Sequence, residues 1–264
     1  MATLLLNGEA LAEIDGVLFD KDGTLSHSEP HLISLARRRI EAIAERMQHL
    51  PLRVISNALD TKSLRSLLEK AYGLNSEGVR PDSLLAVASK QHNLAATATV
   101  LSLVGVPWPQ ALLLAEESFA SVEQSLPPDE EDGSTPLLPD AKRLIQALNK
   151  AGVTCAVISN DTHEGIQRFL RHHQLEHAVS GMWSAEHQPS KPDPAAVHRL
   201  CESLRLNHRR CALIGDADSD LLMGRRAGVA VTLGYVAGWR EPPTLTAHEH
   251  LVHHWRDLQV RPED

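Results

Sequence analysis

The chain is 264 residues long, carries a formal net charge of −8 at pH 7 and is 42% hydrophobic. Its length and apolar fraction suit one large or two modest globular domains with a real core. The acidic balance excludes a general nucleic-acid or anionic-membrane binder, although a small, locally positive pocket needs only one or two cations. Three widely separated cysteines, Cys155, Cys201 and Cys211, read as buried free thiols of a reducing compartment. Residues 1–12 lack the basic region and long apolar core of a secretory signal. No stretch reaches the roughly 18 uninterrupted apolar residues that a membrane span requires, so a soluble, cytoplasmic protein is expected.

In chain order, residues 14–19 form a short apolar run closed by a polar, glycine-containing turn, the pattern of a strand buried on both faces. From Pro30 the period changes to that of helices. Leu32, Leu35, Ala36, Ile40, Ile43, Ala44 and Met47 share one face, with Arg37, Arg38, Arg39, Glu41 and Glu45 on others. Further helices are expected over about 61–72, 84–104 and 108–126, with Pro107 and Pro109 punctuating the last two. Residues 52–57 read as a short strand or an apolar loop. The acidic, proline-rich residues 127–136 have the composition of an exposed linker. From 139 onward helix and strand alternate: helices at about 139–151, 162–172, 193–205 and 218–227, strands at 153–158, 178–183, 211–214 and 229–233. One more strand and helix are possible after Thr244. Such alternation predicts an α/β, Rossmann-like parallel sheet covered by helices. The strand at 14–19 joins that sheet, which makes the helical middle an insertion.

Four short segments at predicted strand ends carry the chemistry, because parallel sheets bind ligands outside their carboxyl ends. Asp20-Lys21-Asp22-Gly23-Thr24 places two carboxylates at i and i+2 on one side of an extended segment; alone it reads far more often as a surface Asx-type turn at a strand end. Ser159-Asn160 offers a hydroxyl and the amides of the next turn to a phosphate oxygen. Its four-residue context, Val-Ile-Ser-Asn, also occurs at residues 54–57, but only the later copy follows a helix and a clear strand. Lys191, between Ser190 and Pro192, is aimed by proline-constrained backbone at a helix start, where a fixed ammonium can neutralise phosphoryl charge. Asp216, Asp218 and Asp220 crowd three carboxylates into five residues and need a cation or a helix N-terminus. Asp216, nearest the strand end, is the better metal ligand, and an all-oxygen site suits magnesium.

As a set, Asp20-x-Asp22-Gly23-Thr24, Ser159, Lys191-Pro192 and Gly215-Asp216-x-x-x-Asp220 resemble the four motifs of the haloacid dehalogenase superfamily over about residues 14–234. Residues 25–30 are similar to its phosphoglycolate-phosphatase-like branch, with His27 where that branch often has Asp. The resemblance implies a core of residues 1–25 and 137–264 and a helical cap of residues 26–136, which closes over the site and selects the substrate. Asp20 is then the nucleophile and Asp22 the acid/base; Ser159, Asn160, Lys191 and Thr24 bind phosphate. Asp20, Asp22 (through its backbone carbonyl) and Asp216 hold Mg2+, with Asp220 a ligand or a partner that orients Lys191. Asp218 falls at a variable position and is left outside this set.

The expected function is a phosphoric monoester hydrolase acting on a small phosphorylated metabolite through an aspartyl-phosphate. Asp22 disfavours a dehalogenase, which lacks that acid, and a cation pump, which has Thr there. The alternatives are a sugar-phosphate mutase of the same superfamily, with a second phosphate site among cap cations such as Arg37, Arg38, Arg39, Arg53 and Arg65, or a non-catalytic binding or regulatory module on the fold. Expected partners are the metabolite alone, with no nucleic acid and no membrane, in a monomer or small homo-oligomer. The histidines at 248, 250, 253 and 254 lack a matched Cys or Glu pattern and read as a polar face rather than a metal site.

Overall fold

The computed structural model describes residues 2–49, 61–125 and 135–263. The chain divides into two compact units, one of Met1–Ser28 and Asp132–Asp264, the other of Glu29–Glu131.

The first unit is built on a six-stranded parallel sheet. Its strands are β3 (Gly16–Phe19), β4 (Thr154–Ile158), β5 (Gly181–Trp183), β6 (Cys211–Gly215), β7 (Val231–Tyr235) and β8 (His250–Val252), in the order β5-β4-β3-β6-β7-β8. β3 is buried throughout, as its apolar run requires. Successive side chains alternate between two cores: Val17, Phe19, Cys155, Val157, Ala212 and Ile214 enter one, while Leu18, Ala156, Ile158, Cys211 and Leu213 enter the other. Four helices follow their strands or precede them: Ala141–Lys150, His163–His172, Pro194–Ser203 and Asp218–Ala227. The last ends on Gly228, whose φ of 74° is the left-handed conformation that terminates helices. All three cysteines are free and buried.

Two elements depart from expectation. Ile14 is not the start of β3: it ends a separate strand, β2 (Glu9–Ile14), which pairs antiparallel with β1 (Ala2–Leu6). And the described residues beyond Thr244 supply strands but no α-helix. A short 3-10 turn at Trp255–Asp257 leads into β9 (Leu258–Pro262), which pairs with β1 to complete a three-stranded sheet. Burial explains this, because Trp255 is 1% exposed, stacked on Tyr235 with its edge on Phe19. A large apolar ring outweighs the polar, histidine-rich composition around it.

The second unit is helical: α1 (Glu29–Gln48), α2 (Thr61–Tyr72), α3 (Leu84–Val87), α4 (Lys90–Leu103) and α5 (Trp108–Gln124). α1 buries Ala36, Ile40, Ile43 and Ala44 of the predicted stripe, leaves Leu32, Leu35 and Met47 half-buried, and also buries Arg39, which the period put on another face. The expected helix over 84–104 is interrupted. Ser89 caps α4, its side chain accepting from His92 N, and the Asn93 side-chain amide donates to Ala88 O at 3.2 Å and Ser89 O at 3.0 Å. These bonds satisfy the backbone where the helix breaks. Inside the unit, Tyr72 Oη and Thr97 Oγ1 lie 2.7 Å apart and the Arg39 guanidinium stands 3.8 Å above the Phe119 ring. Arg65 pairs with Glu41, and Arg37 is exposed. Arg53, the segment 52–57 with its copy of Ser-Asn, and most of the expected linker lie outside the described residues.

Candidate active site

Parallel registration brings the strand ends together. Phe19 of β3 sits level with Val157 of β4 and Ile214 of β6, so the residues that follow each strand emerge side by side. The Asp20 amide is tied to Ile214 O at 2.8 Å. Beyond it the chain turns around a single acceptor: Lys21 O receives the amides of Thr24, Leu25 and Ser26 at 3.3, 2.8 and 2.9 Å. Gly23 has φ 77°, and a Cβ there would land on the Trp239 indole and the Asp216 carboxylate. Glycine is required here both by conformation and by space.

At the centre lie three carboxylates, Asp20, Asp216 and Asp220, 7%, 4% and 2% exposed, with ligand oxygens all within 4.8 Å of one another. Lys191 enters from the loop before the helix Pro194–Ser203. Its Nζ donates to Asp20 Oδ1 at 2.6 Å, to the Ile158 carbonyl at 3.3 Å and lies 2.7 Å from Asp220 Oδ1. Burial pushes the Asp20 carboxyl up to about 6 despite the opposing pull of Lys191. Burial and the neighbouring Asp20 and Asp220 raise Asp216 well above the usual carboxylate range. Burial alone would lower the Lys191 ammonium, but Asp20 and Asp220 outweigh it and hold it above the ordinary lysine value.

Ionised together, the three buried carboxylates would outnumber the one ammonium by two negative charges, all on hard oxygen donors. That donor set fits a divalent cation of the magnesium type, and does not match the nitrogen and sulfur preference of zinc. No other such group of His, Cys, Asp and Glu occurs among the described residues. The C-terminal histidines do not form one: the ring of His248 pairs with Leu245 O at 2.6 Å, and His250 lies in β8.

The remaining expected residues fall into place unequally. Ser159 is 2% exposed and its hydroxyl accepts from Asp161 N at 3.1 Å, with half-buried Asn160 beside it. Asp22 is a quarter exposed and its Oδ1 accepts from the Ser28 hydroxyl and from Lys21 at 2.7 Å. The Thr24 hydroxyl is directed at Asp216. Fully buried, it donates to Asp216 Oδ1 at 3.0 Å, so it holds a metal-ligand candidate. Asp218 binds the loop ahead of β8, accepting from Thr246 Oγ1 at 2.6 Å and Ala247 N at 2.9 Å, away from the carboxylate group. His27 is half-buried, with Nδ1 3.4 Å from Gly238 O.

Sequence reading missed four contributors. Trp239 donates from Nε1 to Asp216 Oδ2 at 2.5 Å, and Gly238 packs so closely that a Cβ would overlap the Gly23 carbonyl. Both lie in the loop after β7, where no spacing links them to the motifs. Lys21 and Asp161 form a pair at 3.1 Å beside Asp22. Lys21, a lone cation between two carboxylates, was the one visible signal.

A family model described as haloacid dehalogenase-like hydrolase matches residues 14–228. Relatives include phosphoglycolate phosphatases of Haemophilus influenzae (strain Rd), 31% identical over 103 residues, and of Vibrio cholerae, 29% identical over 106 residues. These alignments cover 38% and 39% of this chain and 46% and 47% of the relatives, so the chain spans about half the length of the curated relatives it matches. Among solved structures, a predicted phosphoglycolate phosphatase from Haemophilus somnus 129pt aligns over 92% of this chain and 96% of its own at TM-score 0.63 and 18% identity. A HAD family hydrolase from Deinococcus radiodurans R1, with bound phosphate and sodium, aligns over 93% of each chain at TM-score 0.55 and 22% identity. At these identities the structural likeness is one of fold.

Proposed function

The chain belongs to the haloacid dehalogenase-like hydrolases, and from that premise we propose that it is a magnesium-dependent phosphatase that cleaves a small phosphate monoester through a covalent aspartyl-phosphate on Asp20. The observation that carries this reading is the pairing of a buried Asp20, gripped by Lys191 at 2.6 Å, with a more exposed Asp22 two residues on. One carboxylate is held as a nucleophile while the other remains accessible for proton transfer.

An Asp20 oxygen attacks phosphorus as the bond to the leaving oxygen breaks, and Asp22 protonates that oxygen. Asp22 then takes a proton from water as the water attacks phosphorus, releasing inorganic phosphate and restoring Asp20. Ser159, the amides beside it at Asn160, and Lys191 bind the transferring group. Asp220 orients Lys191, and Thr24 with Trp239 orients Asp216. Asp20, the Asp22 carbonyl and Asp216 would hold magnesium, whose chemistry when bound is to neutralise phosphoryl charge. Relatives named phosphoglycolate phosphatase support a small phosphorylated metabolite as substrate. No helix among the described residues is long and apolar enough to cross a membrane, which is compatible with the proposed cytoplasmic location.

The test is hydrolysis of p-nitrophenyl phosphate and a panel of metabolite phosphates, with and without magnesium. Turnover that needs magnesium and falls by at least about 10³-fold in Asp20→Asn is expected, the scale of losing an essential nucleophile. Absence of turnover across the panel, or full activity in Asp20→Asn, overturns the reading.

A further inference from the structure

Lys21 occupies the position between the two motif aspartates, which the mechanism above does not use. It is 5% exposed, with Nζ 2.7 Å from Asp22 Oδ1, 3.1 Å from Asp161 Oδ2 and 5.5 Å from the centre of the Phe169 ring. A buried ammonium is costly to keep unless its partners are fixed. Here the far partner is fixed: Asp161 Oδ1 accepts from Thr162 N at 2.7 Å, and Asp161 N donates to Ser159 Oγ. Space is reserved for it too, because a Cβ on Gly165 would collide with the Asp161 carboxylate.

We propose that Lys21 is the positioning residue of Asp22, anchored from the far side by Asp161, and that it acts through Asp22 in the phosphatase reaction on which this inference rests. Asp22 Oδ1 accepts from two donors, Lys21 and the Ser28 hydroxyl, and Ser28 is itself tied to Ser26 at 2.8 Å. These donors on Oδ1 fix the plane of the Asp22 carboxylate, and with it the direction in which its proton is presented to the leaving oxygen. Asp161 thereby links the phosphate-binding segment at Ser159 to the acid/base residue, with Lys21 as the connection.

The chemistry supplies a selective readout. A leaving group that departs without protonation does not need a well-aimed acid, whereas an alkoxide does. In Lys21→Met, kcat/KM for an alkyl phosphate such as glycerol phosphate should fall by roughly tenfold to a hundredfold, a part of the roughly 10²- to 10⁴-fold that proton transfer contributes, since the acid itself is kept. For 2,4-dinitrophenyl phosphate it should fall by less than about threefold on the same argument. Asp161→Asn, which keeps the lysine, should show the same bias more weakly. The double variant should be no worse than Lys21→Met, because the two act as one unit. Equal losses on both substrates, or additive losses in the double variant, overturn the proposal. Absence of turnover by the unsubstituted protein would count against the phosphatase reading instead. Crystal structures of Lys21→Met and Asp161→Asn decide the matter independently of turnover: the Asp22 carboxylate should rotate or lose its single conformation, and a carboxylate unmoved in both refutes a positioning role.

Discussion

Asp216 is held at both oxygens by residues more than twenty positions away, Thr24 at 3.0 Å and Trp239 at 2.5 Å. An indole N–H donates only and an alcohol rotates to suit, so together they fix the plane of a carboxylate that burial, Asp20 and Asp220 still hold well above the usual range. Metal ligands held in this way lose about 10- to 100-fold in metal affinity or activity when the holding group is removed. Trp239→Phe keeps an aromatic ring but deletes the indole N–H and the ring that carries it, and should weaken magnesium binding by about tenfold. A magnesium titration of activity, or calorimetry on the metal-free protein, reads that change. Unchanged affinity would mean that Thr24 alone suffices. The same residue scale explains why Thr24 reads differently in sequence and in structure. Its hydroxyl lies in the right motif, but the turn around Lys21 O points it inward to Asp216.

At the scale of elements, the site is a meeting of two turns. The turn at 20–26 follows β3, and the loop after β7 folds against it with Gly238 on the Gly23 carbonyl. Two backbones approach where no side chain fits, so Gly238→Ala must push one of them away. Overpacking of this kind costs about 1–3 kcal/mol, and here the displacement carries Trp239 off Asp216. A chemical-denaturation midpoint shift together with reduced magnesium-dependent activity is the expected result; wild-type values for both would show that the approach is slack. Strand and helix types from 139 to 235 were legible because period and punctuation agree there, Gly152, Pro194 and Gly228 marking boundaries. The ribbon β1-β2-β9 was not legible. Its strands come from opposite ends of the chain, and its mixed burial gives no clean alternation. Helix α3 and α4 were read as one because Ser89, the N-cap of α4, and Asn93, whose buried amide closes the break, look like ordinary polar helix residues until their hydrogen bonds are seen.

For the molecule as a whole, the site concentrates negative charge that folding must tolerate. The Asp20 carboxyl is raised to about 6 from 3.8, first by burial. A carboxyl raised on folding binds its proton more tightly in the native state, so its contribution to stability falls as pH rises from about 4 through about 6. A bound divalent cation acts in the opposite direction, since it needs the ionised carboxylates and competes with protons for them. Magnesium should therefore raise the melting temperature more at pH 7.5 than at pH 5.5. Differential scanning fluorimetry with saturating magnesium against chelator, at both values, checks this. An increment that is equal or larger at the lower pH would remove Asp20 and Asp216 from the metal site.

What the amino-acid order determined by itself was the alternation of strand and helix, and a candidate site of four polar segments at strand ends whose residue types suit phosphoryl transfer. That much is local, because periodicity, turn residues and carboxylate spacing are written within a few positions of one another. The tertiary structure alone decided which group holds which. Parallel register brings Asp20, Ser159 and Asp216 side by side, and the loop after β7 delivers Trp239 to Asp216. The turn around Lys21 O turns a phosphate-binding candidate, Thr24, into a holder of that aspartate, and places an overlooked lysine between Asp22 and Asp161. Such partnerships depend on close packing between segments far apart in the chain, and distance along the chain carries no trace of them.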